Sequence, residues 1–446
     1  MHNPTPQLRT WLTPRRLRAH GLLVGLVLWS VYAWIFATPG LQDRNGLLKG
    51  TDFLHFYTLG ALALEHDGAD LYNMQAESAL ALQRVPDAGH LVYVPLYGPQ
   101  VSLLFAPLAT LPYAWALTVW LAASAALYAV CCYAIWKTCP TLQSLPGTTL
   151  IVTAASPPFV HLIVWGQNSA LALVCFALAY LALRSQRCFS AGLAMGCLIF
   201  KPQLALAAVL VFLLTRQWRV IAGMVMTASA QLLVGQFYYG SAVMKDYAYH
   251  LFHAGSIYSL LEPRPYHMHS LRAFWAMLIP WPSLAFAFYV ATAVTALGLT
   301  VRCWKTPAPL TLRYAALLLA TVLVSPHLTV YDLVILAPAF LLLADWAGAH
   351  REQRQAATVG ILLYLCYALP LTVPVTRWTH VQLSVPAMAT LLWLVQRQSR
   401  DASYGSTVPA AESGFPKRKV SAPGKRDAQA PSLWVTPSAT STASRC

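Results

Sequence analysis

Apolar segments of helix length recur from about residue 21 to residue 396, and short loops carrying basic residues separate them. No soluble core accommodates that much continuous apolar chain. In lipid each backbone polar group must be bonded within its own segment, so the pattern calls for an all-α polytopic membrane protein. Composition agrees, with hydrophobic residues at 57% and charged residues at 10%. Fifteen Trp and twenty-one Tyr suit the two interfacial belts, where an apolar ring carries a polar tip. The formal charge of +15 does not point to nucleic acid, because the basic residues gather in short loops and at the two ends. That distribution is the positive-inside pattern.

The nine cysteines are scattered through apolar segments and cytoplasm-facing stretches and contain no CxxC pair. Neither a disulfide framework nor structural zinc is expected, and no cofactor is implied. Arg15, Arg16 and Arg18 precede the first apolar run without a convincing cleavage site after it, so that run reads as an uncleaved first helix.

Orientation follows from the basic loops. The first helix, about 21–38, runs outward, and residues 39–95 form an external loop with short helical patterns such as Met74 to Gln83. Residues 96–136 pose a parity problem. Read as one span, with 96–110 lying as a juxtamembrane or re-entrant helix, they place Lys137, Arg184, Arg187, Arg216 and Arg219 inside; two spans would place the last four outside. Pro95, Pro99, Pro107 and Pro112 break the first part and favour one span. Further segments follow at about 147–164, 168–184, 189–200, 203–215 and 218–238. After a second external loop at 239–282 come 283–303, 310–325, 329–347, 356–373 and 380–396, for about twelve spans in a domain covering 1–397. Residues 398–446, rich in Ser, Thr, Pro and Ala with Lys417, Arg418, Lys419, Lys425 and Arg426, are expected to be a disordered basic cytoplasmic tail.

With this orientation the unusual polar residues collect on the outer side. Asp52 lies just beyond the first helix, and an acid near a bilayer must be solvated, paired or used. Gln167 and Asn168 sit at an outer helix end. Lys201 separates two apolar stretches too short to cross a core of about 30 Å, which puts it within the outer half of the membrane. His327 and Asp332 share another outer turn, and the second loop adds Arg264, His267, His269 and Arg272. Arg or Lys grips phosphate, while a carboxylate or imidazole takes a hydroxyl proton. The set therefore resembles a site for a lipid-linked anionic donor. Each residue also has a structural reading: Asp52 as a cap or ion-pair partner, Lys201 as the counter-ion of a buried acid, and Gln167 and Asn168 as partners of helix-end backbone. His267-Met268-His269 without an acid cluster is a weak metal signal.

These residues fall in motifs. Gly50-Thr51-Asp52-Phe53, Tyr57 and then Gly68-Ala69-Asp70-Leu71-Tyr72 resemble the first-loop signature of glycosyltransferase family 87. Tyr93-Val94-Pro95-Leu96 with Ala106-Pro107-Leu108 and Leu111-Pro112, Gly166-Gln167-Asn168, Lys201 with Arg216-Gln217-Trp218-Arg219, and Ser325-Pro326-His327 through Tyr331-Asp332 follow in the family's order. The likeness runs through most of residues 20–345. Leu96 stands where the family's second proline is usual. The resemblance implies a GT-C glycosyltransferase fold and a polyprenyl-phosphate-linked sugar donor, with mannose the first expectation. It implies metal-independent inverting transfer to a glycolipid, glycan or protein acceptor. With the orientation read from the basic loops, the expectation is a bacterial inner-membrane enzyme whose site faces the periplasm. On it, Asp52 takes the role of general base and His327 that of a second active-site group. Position and charge add Lys201, Arg264 and Arg272 as phosphate-binding residues, and the motif positions Tyr57, Gln167, Asn168 and Asp332 are expected to bind substrate. A flippase or transporter for a lipid-linked sugar would use the same polar cavity, but only one broken hairpin, around Lys201, is visible, with no matched second half.

Overall fold

The computed structural model describes residues 12–65, 68–89, 91–255 and 264–405. It is helical throughout, and the described residues hold only two isolated β-bridges, Gln42 with Leu48 and Met268 with Thr329. The first helix, α1, spans Pro14–Phe36, with the Thr13 side chain capping its start and Pro14 at the position that needs no N–H. The stretch read as a first external loop is ordered. It holds α2 (Thr51–Leu64), a 3-10 turn at Gly68–Tyr72 and α3 (Met74–Arg84), which Asn73 caps through Gln75 and Ala76. Every residue of α2 from Phe53 to Ala63 is buried.

Next come α4 (Gln100–Ala109), which is the short helix expected at 96–110, and α5 (Tyr113–Trp136). After the single turn α6 (Pro140–Gln143), α7 (Pro146–Ala154) and α8 (Pro157–Trp165) form a pair bent by 44°. Then follow α9 (Ser169–Arg184), α10 (Cys188–Gly196) with a 3-10 extension to Phe200, and α11 (Pro202–Leu214). Helix α12 (Trp218–His253) breaks at Gly240, where φ is 82°. The rest are α13 (Leu271–Leu278), α14 (Pro282–Trp304), α15 (Leu310–Val324), a 3-10 stretch at Val330–Leu336, α16 (Ala337–Ala349), α17 (Arg354–Ala368), α18 (Val373–Thr379) and α19 (Ser384–Gly405).

Six of these helices are long and apolar enough to cross a membrane, or seven if the bent pair counts as one span. The molecule is thus a polytopic helical membrane protein. The count of twelve includes shorter apolar helices, among them α9, α11 and α15, that fall below spanning length on their own. Helix α19 carries the chain to Gly405, so 398–405 are helical. The rest of the expected tail, 406–446, lies outside the described residues.

Helix α15 lies at the centre, buried along its whole run from Tyr314 to Val324. Lipid-facing surfaces are apolar as expected, with Leu26, Trp115, Phe237 and Phe286 exposed. Backbones approach most closely between α10 and α12. A Cβ added at Gly192 would collide with the Val220 carbonyl, one at Gly196 with the Met224 carbonyl, and one at Gly223 with the Phe189 carbonyl. Small residues at such spacing let helices dock where no hydrophobic gain separates protein from lipid.

Candidate active site

The site grows from two glycine turns packed against each other. Gly50 precedes α2 with φ 68°, and Gly166 ends α8 with φ 68°. Only glycine adopts that conformation at no cost. At Gly166 a side chain would also meet the Phe53 Cβ at 2.8 Å. Three aromatic side chains fix these turns. Tyr113 Oη donates to the carbonyls of Lys49 and Gly50, each at 2.9 Å; Tyr93 Oη donates to the Thr51 carbonyl; Trp120 Nε1 donates to the Gly166 carbonyl at 2.8 Å. The first turn of α2 and the start of α9 are thereby held face to face.

Across that junction Gln167 Nε2 donates to Asp52 Oδ2 at 2.9 Å and to Tyr331 Oη at 3.2 Å. Its Oε1 accepts from the Asn168 amide at 3.0 Å and from Lys201 Nζ at 3.4 Å. Lys201, buried in the break between α10 and α11, also donates to Ser169 Oγ at 3.0 Å and to Asp332 Oδ1 at 2.8 Å, and lies over the Tyr331 ring at 5.5 Å. Ser169 Oγ donates to Asp332 Oδ1 at 2.5 Å. Asp332 Oδ2 takes the Thr329 amide and hydroxyl at 3.3 and 3.1 Å, closing a capping box at the start of the 3-10 stretch. A continuous relay thus runs from Asp52 through Gln167 to the Lys201–Asp332 ion pair.

The two acids are in different situations. Asp332 is buried and both its oxygens are engaged by protein groups. Asp52 is half-buried; its Oδ2 is tethered by Gln167, and its Oδ1 has no hydrogen-bond partner among the described residues. Burial dominates its acidity and pushes its pKa up to about 6, against the opposing pull of the Gln167 hydrogen bond and of the Lys201 and His55 charges. Such a carboxyl binds and releases a proton near neutral pH.

Five of the expected site residues, Asp52, Gln167, Asn168, Lys201 and Asp332, meet in this relay or beside it. The geometry makes Lys201 the counter-ion of Asp332, which is the structural alternative weighed for it above. His327 occupies the turn just before Thr329, where Ser325 Oγ donates to its carbonyl at 2.8 Å, and its ring lies within electrostatic reach of Asp332. Tyr57 is a core residue: its hydroxyl donates to the Leu111 carbonyl at 2.9 Å and its ring packs edge-on against Tyr113. Arg264 is exposed and Arg272 half-buried. Both flank a segment stitched to the same outer turn, where the His269 amide donates to the Leu328 carbonyl at 3.0 Å and Met268 bridges Thr329. His269 Nδ1 lies 2.7 Å from Ser384 Oγ. Burial first, then neighbouring positive charge, lowers the pKa of His267 to about 4 and of His269 to about 3. Among the described residues no group of three or more His, Cys, Asp or Glu is placed to hold a metal ion.

Sequence reasoning passed over several participants. Ser169 directly follows the Gly166-Gln167-Asn168 motif, and Tyr331 sits beside Asp332 within a motif already singled out. Tyr93 and Tyr97 come from the proline-rich stretch before α4. Tyr97 approaches Asn168, although neither polar atom of that amide makes a hydrogen bond of normal geometry among the described residues. His55, one turn after Asp52 on α2, pairs through Nδ1 with the buried Glu77 of α3. Spacing of three along a helix would have placed His55 on the face of Asp52.

The fold and this relay together define a polytopic membrane protein with a half-buried carboxylate at a junction of helix ends. The family model for glycosyltransferase family 87 matches residues 96–326, just over half of the chain, and the protein belongs to that family. Gln167, Asn168, Lys201, Arg264 and Arg272 fall inside the match; Asp52, Tyr57, His327 and Asp332 fall outside it. No curated protein and no solved structure matches the chain.

Proposed function

We propose that this membrane glycosyltransferase moves a hexose, mannose first among them, from a polyprenyl-phosphate carrier to an acceptor hydroxyl, with inversion and on the periplasmic side of a bacterial inner membrane. The observation that carries the reading is the Asp52 carboxylate, with one oxygen fixed by Gln167 and the other open. Asp52 accepts the acceptor's hydroxyl proton as the acceptor oxygen bonds to the anomeric carbon. The bond from that carbon to the phosphate oxygen breaks on the opposite face, and the lipid phosphate leaves with the electron pair. Gln167 holds the carboxylate in line, and the Lys201–Asp332 pair in turn fixes Gln167. Arg264 and Arg272, on the segment attached to the outer turn, are the cations assigned to the departing phosphate. His327 borders the site as a second polar group.

The test is Asp52→Asn in membranes supplied with a labelled lipid-linked hexose. A loss of about 10²-fold or more at normal expression is expected of a missing base. Turnover near that of the unmodified protein would remove Asp52 from this role. Product analysis also separates transfer from flipping, since a flippase forms no new glycosidic bond.

A further inference from the structure

A cavity of about 620 Å³ lies apart from the relay, between α1 and α7 on one side and α16 and α17 on the other. Its shape follows from how α1 packs. Glycine lets α1 dock closely on α7: a Cβ added at Gly21 would lie 3.0 Å from Ile151 Cγ2, and one at Gly25 would lie 3.1 Å from the Cβ of Ala155, just after α7. On its other flank α1 meets α17 through long side chains, with His20 Nδ1 3.0 Å from Tyr364 Oη. The space between is walled by Val24, Val152, Phe340, Ala344, Ala357 and Leu363. Hydroxyls in the wall are already bonded: Thr149 donates to the Leu145 carbonyl at 3.1 Å, Thr153 to the Thr149 carbonyl at 2.8 Å and Tyr367 to the Val152 carbonyl at 3.2 Å. A water placed there lacks the polar partners it needs, whereas hydrocarbon gains dispersion contacts along the whole wall.

Length and charge identify the molecule that carries this hydrocarbon. Along α16 the cavity runs from Ala337 to Gly348, about 16 Å of helical rise, or roughly one leaflet of a hydrocarbon core of about 30 Å. Its inner end reaches Leu333 and Val334, and its rim holds Thr13, Arg351 and Glu352. The rim is basic. Arg15, Arg16 and Arg18 lie in the first two turns of α1, and Arg18 Nη2 donates to Thr148 Oγ1 of the wall at 3.3 Å. Across the cavity stand Arg351, whose Nε donates to the Gly348 carbonyl at 3.0 Å, and Arg354 at the start of α17. Glu352 is the one acid among the described residues that line the cavity. Basic pockets between membrane helices bind anionic lipid heads, and guanidinium groups suit phosphate oxygens. We propose that this cavity binds an anionic phospholipid from the leaflet at the arginine-bearing end, with one acyl chain lying along α16 and the phosphate held by Arg18 and Arg351. The occupied cavity ties α1 to α16 and α17. No residue of the relay lines it, and the proposal is independent of the reaction assigned to Asp52.

The test uses the full-length protein in neutral detergent and reads melting temperature together with lipid retention by native mass spectrometry. Phosphatidylglycerol is expected to raise the melting temperature and to bind saturably, more tightly than phosphatidylcholine of the same chain length. Arg18→Gln and Arg351→Gln are each expected to weaken phosphatidylglycerol binding about fivefold, the weight of one basic side chain beside an anionic lipid, and to leave phosphatidylcholine unchanged. Equal affinity for the two lipids, or an unaltered preference in the double substitution, overturns the site. Ala357→Phe fills the cavity from α17. It is expected to raise the melting temperature of the lipid-free protein and to remove the shift that phosphatidylglycerol gives; a shift that persists in this variant means that the lipid binds elsewhere, and the proposal falls. A phosphatidylglycerol with a photoreactive acyl chain decides the matter on the unmodified protein even where Ala357→Phe does not fold. Labelling of the 141–153 and 337–348 peptides, competed by unlabelled phosphatidylglycerol, supports the site. Saturable labelling confined to other peptides overturns it, and competition by polyprenyl phosphate but not by phosphatidylglycerol overturns the phospholipid assignment.

Discussion

At the residue scale, the half-buried Asp52 sets the pH behaviour. Its carboxyl must be ionised to accept a proton, and burial holds its pKa at about 6. The raised value means that ionisation, and with it kcat/KM, is lost as pH falls through about 6 and reaches a plateau above it. His267 and His269 titrate near 4 and 3 and leave that limb untouched. A pH profile of the unmodified protein shows the limb if Asp52 is the base; the residual activity of Asp52→Asn is then flat across the same range. The buried ion pair behaves differently. Asp332→Asn leaves the Lys201 ammonium without its counter-ion at 5% side-chain exposure, which costs about 3–5 kcal/mol. A clear drop in melting temperature in detergent is expected, with partial recovery in the double substitution Asp332→Asn with Lys201→Met. Both residues were legible as unusual polar groups in apolar surroundings. Their pairing was not, because 131 positions of chain separate them and only the closed bundle brings them together. Tyr57 shows the converse: its spacing after Asp52 fits a site residue, while packing with Phe53 and Tyr113 makes it core.

At the scale of elements, glycine decides what can dock. Gly166→Ala adds strain at φ 68° and a Cβ 2.8 Å from that of Phe53, which pushes the Gln167 turn away from Asp52. Activity is expected to fall at least tenfold, because catalysis depends steeply on the placement of reacting groups, with the kcat loss exceeding any change in KM for the donor. The Gly192, Gly196 and Gly223 contact is tighter still, and it holds α10, hence Lys201 at its far end, against α12. Gly192→Leu is expected to loosen that pair and lower both thermal stability and yield; unaltered melting would show that these helices do not depend on close approach. The long apolar helices were readable from hydropathy, and the proline-broken α4 from its punctuation. Helix α2 was not. It is short and follows a polar stretch, so it reads as loop, and only its burial against α4, where Gly60 lies under the Phe105 carbonyl, reveals it as an internal helix. The Gly192-to-Gly196 spacing was equally visible, but small residues announce a contact without naming the partner helix.

At the scale of the whole molecule, one helix links the candidate site to the basic loops. Helix α9 has 16 residues, about 24 Å of rise. Asn168 and Ser169 stand at its start beside Asp52, and Arg184 at its end donates to the Thr138 carbonyl at 3.2 Å. That second end gathers Lys137, the Leu142 amide bonded to Asp345 at 3.0 Å, and Gly348 against Thr141, with Arg351 following. The loops that carry Lys137, Arg184 and Arg351 therefore gather at the end of α9 remote from the relay. Positive loops are generally retained in the cytoplasm, so the proposed orientation puts these two ends in opposite compartments. Green fluorescent protein inserted after Gln186 or Gln353 is expected to fluoresce, and alkaline phosphatase inserted after Asn45 or Gly89 is expected to be active. The prediction does not depend on whether the short helices α10 and α11 each cross, because together they return the chain to the side from which it came. Reversed reporter signals at both poles would turn Asp52 toward the cytoplasm and leave a periplasmic sugar acceptor without access to it.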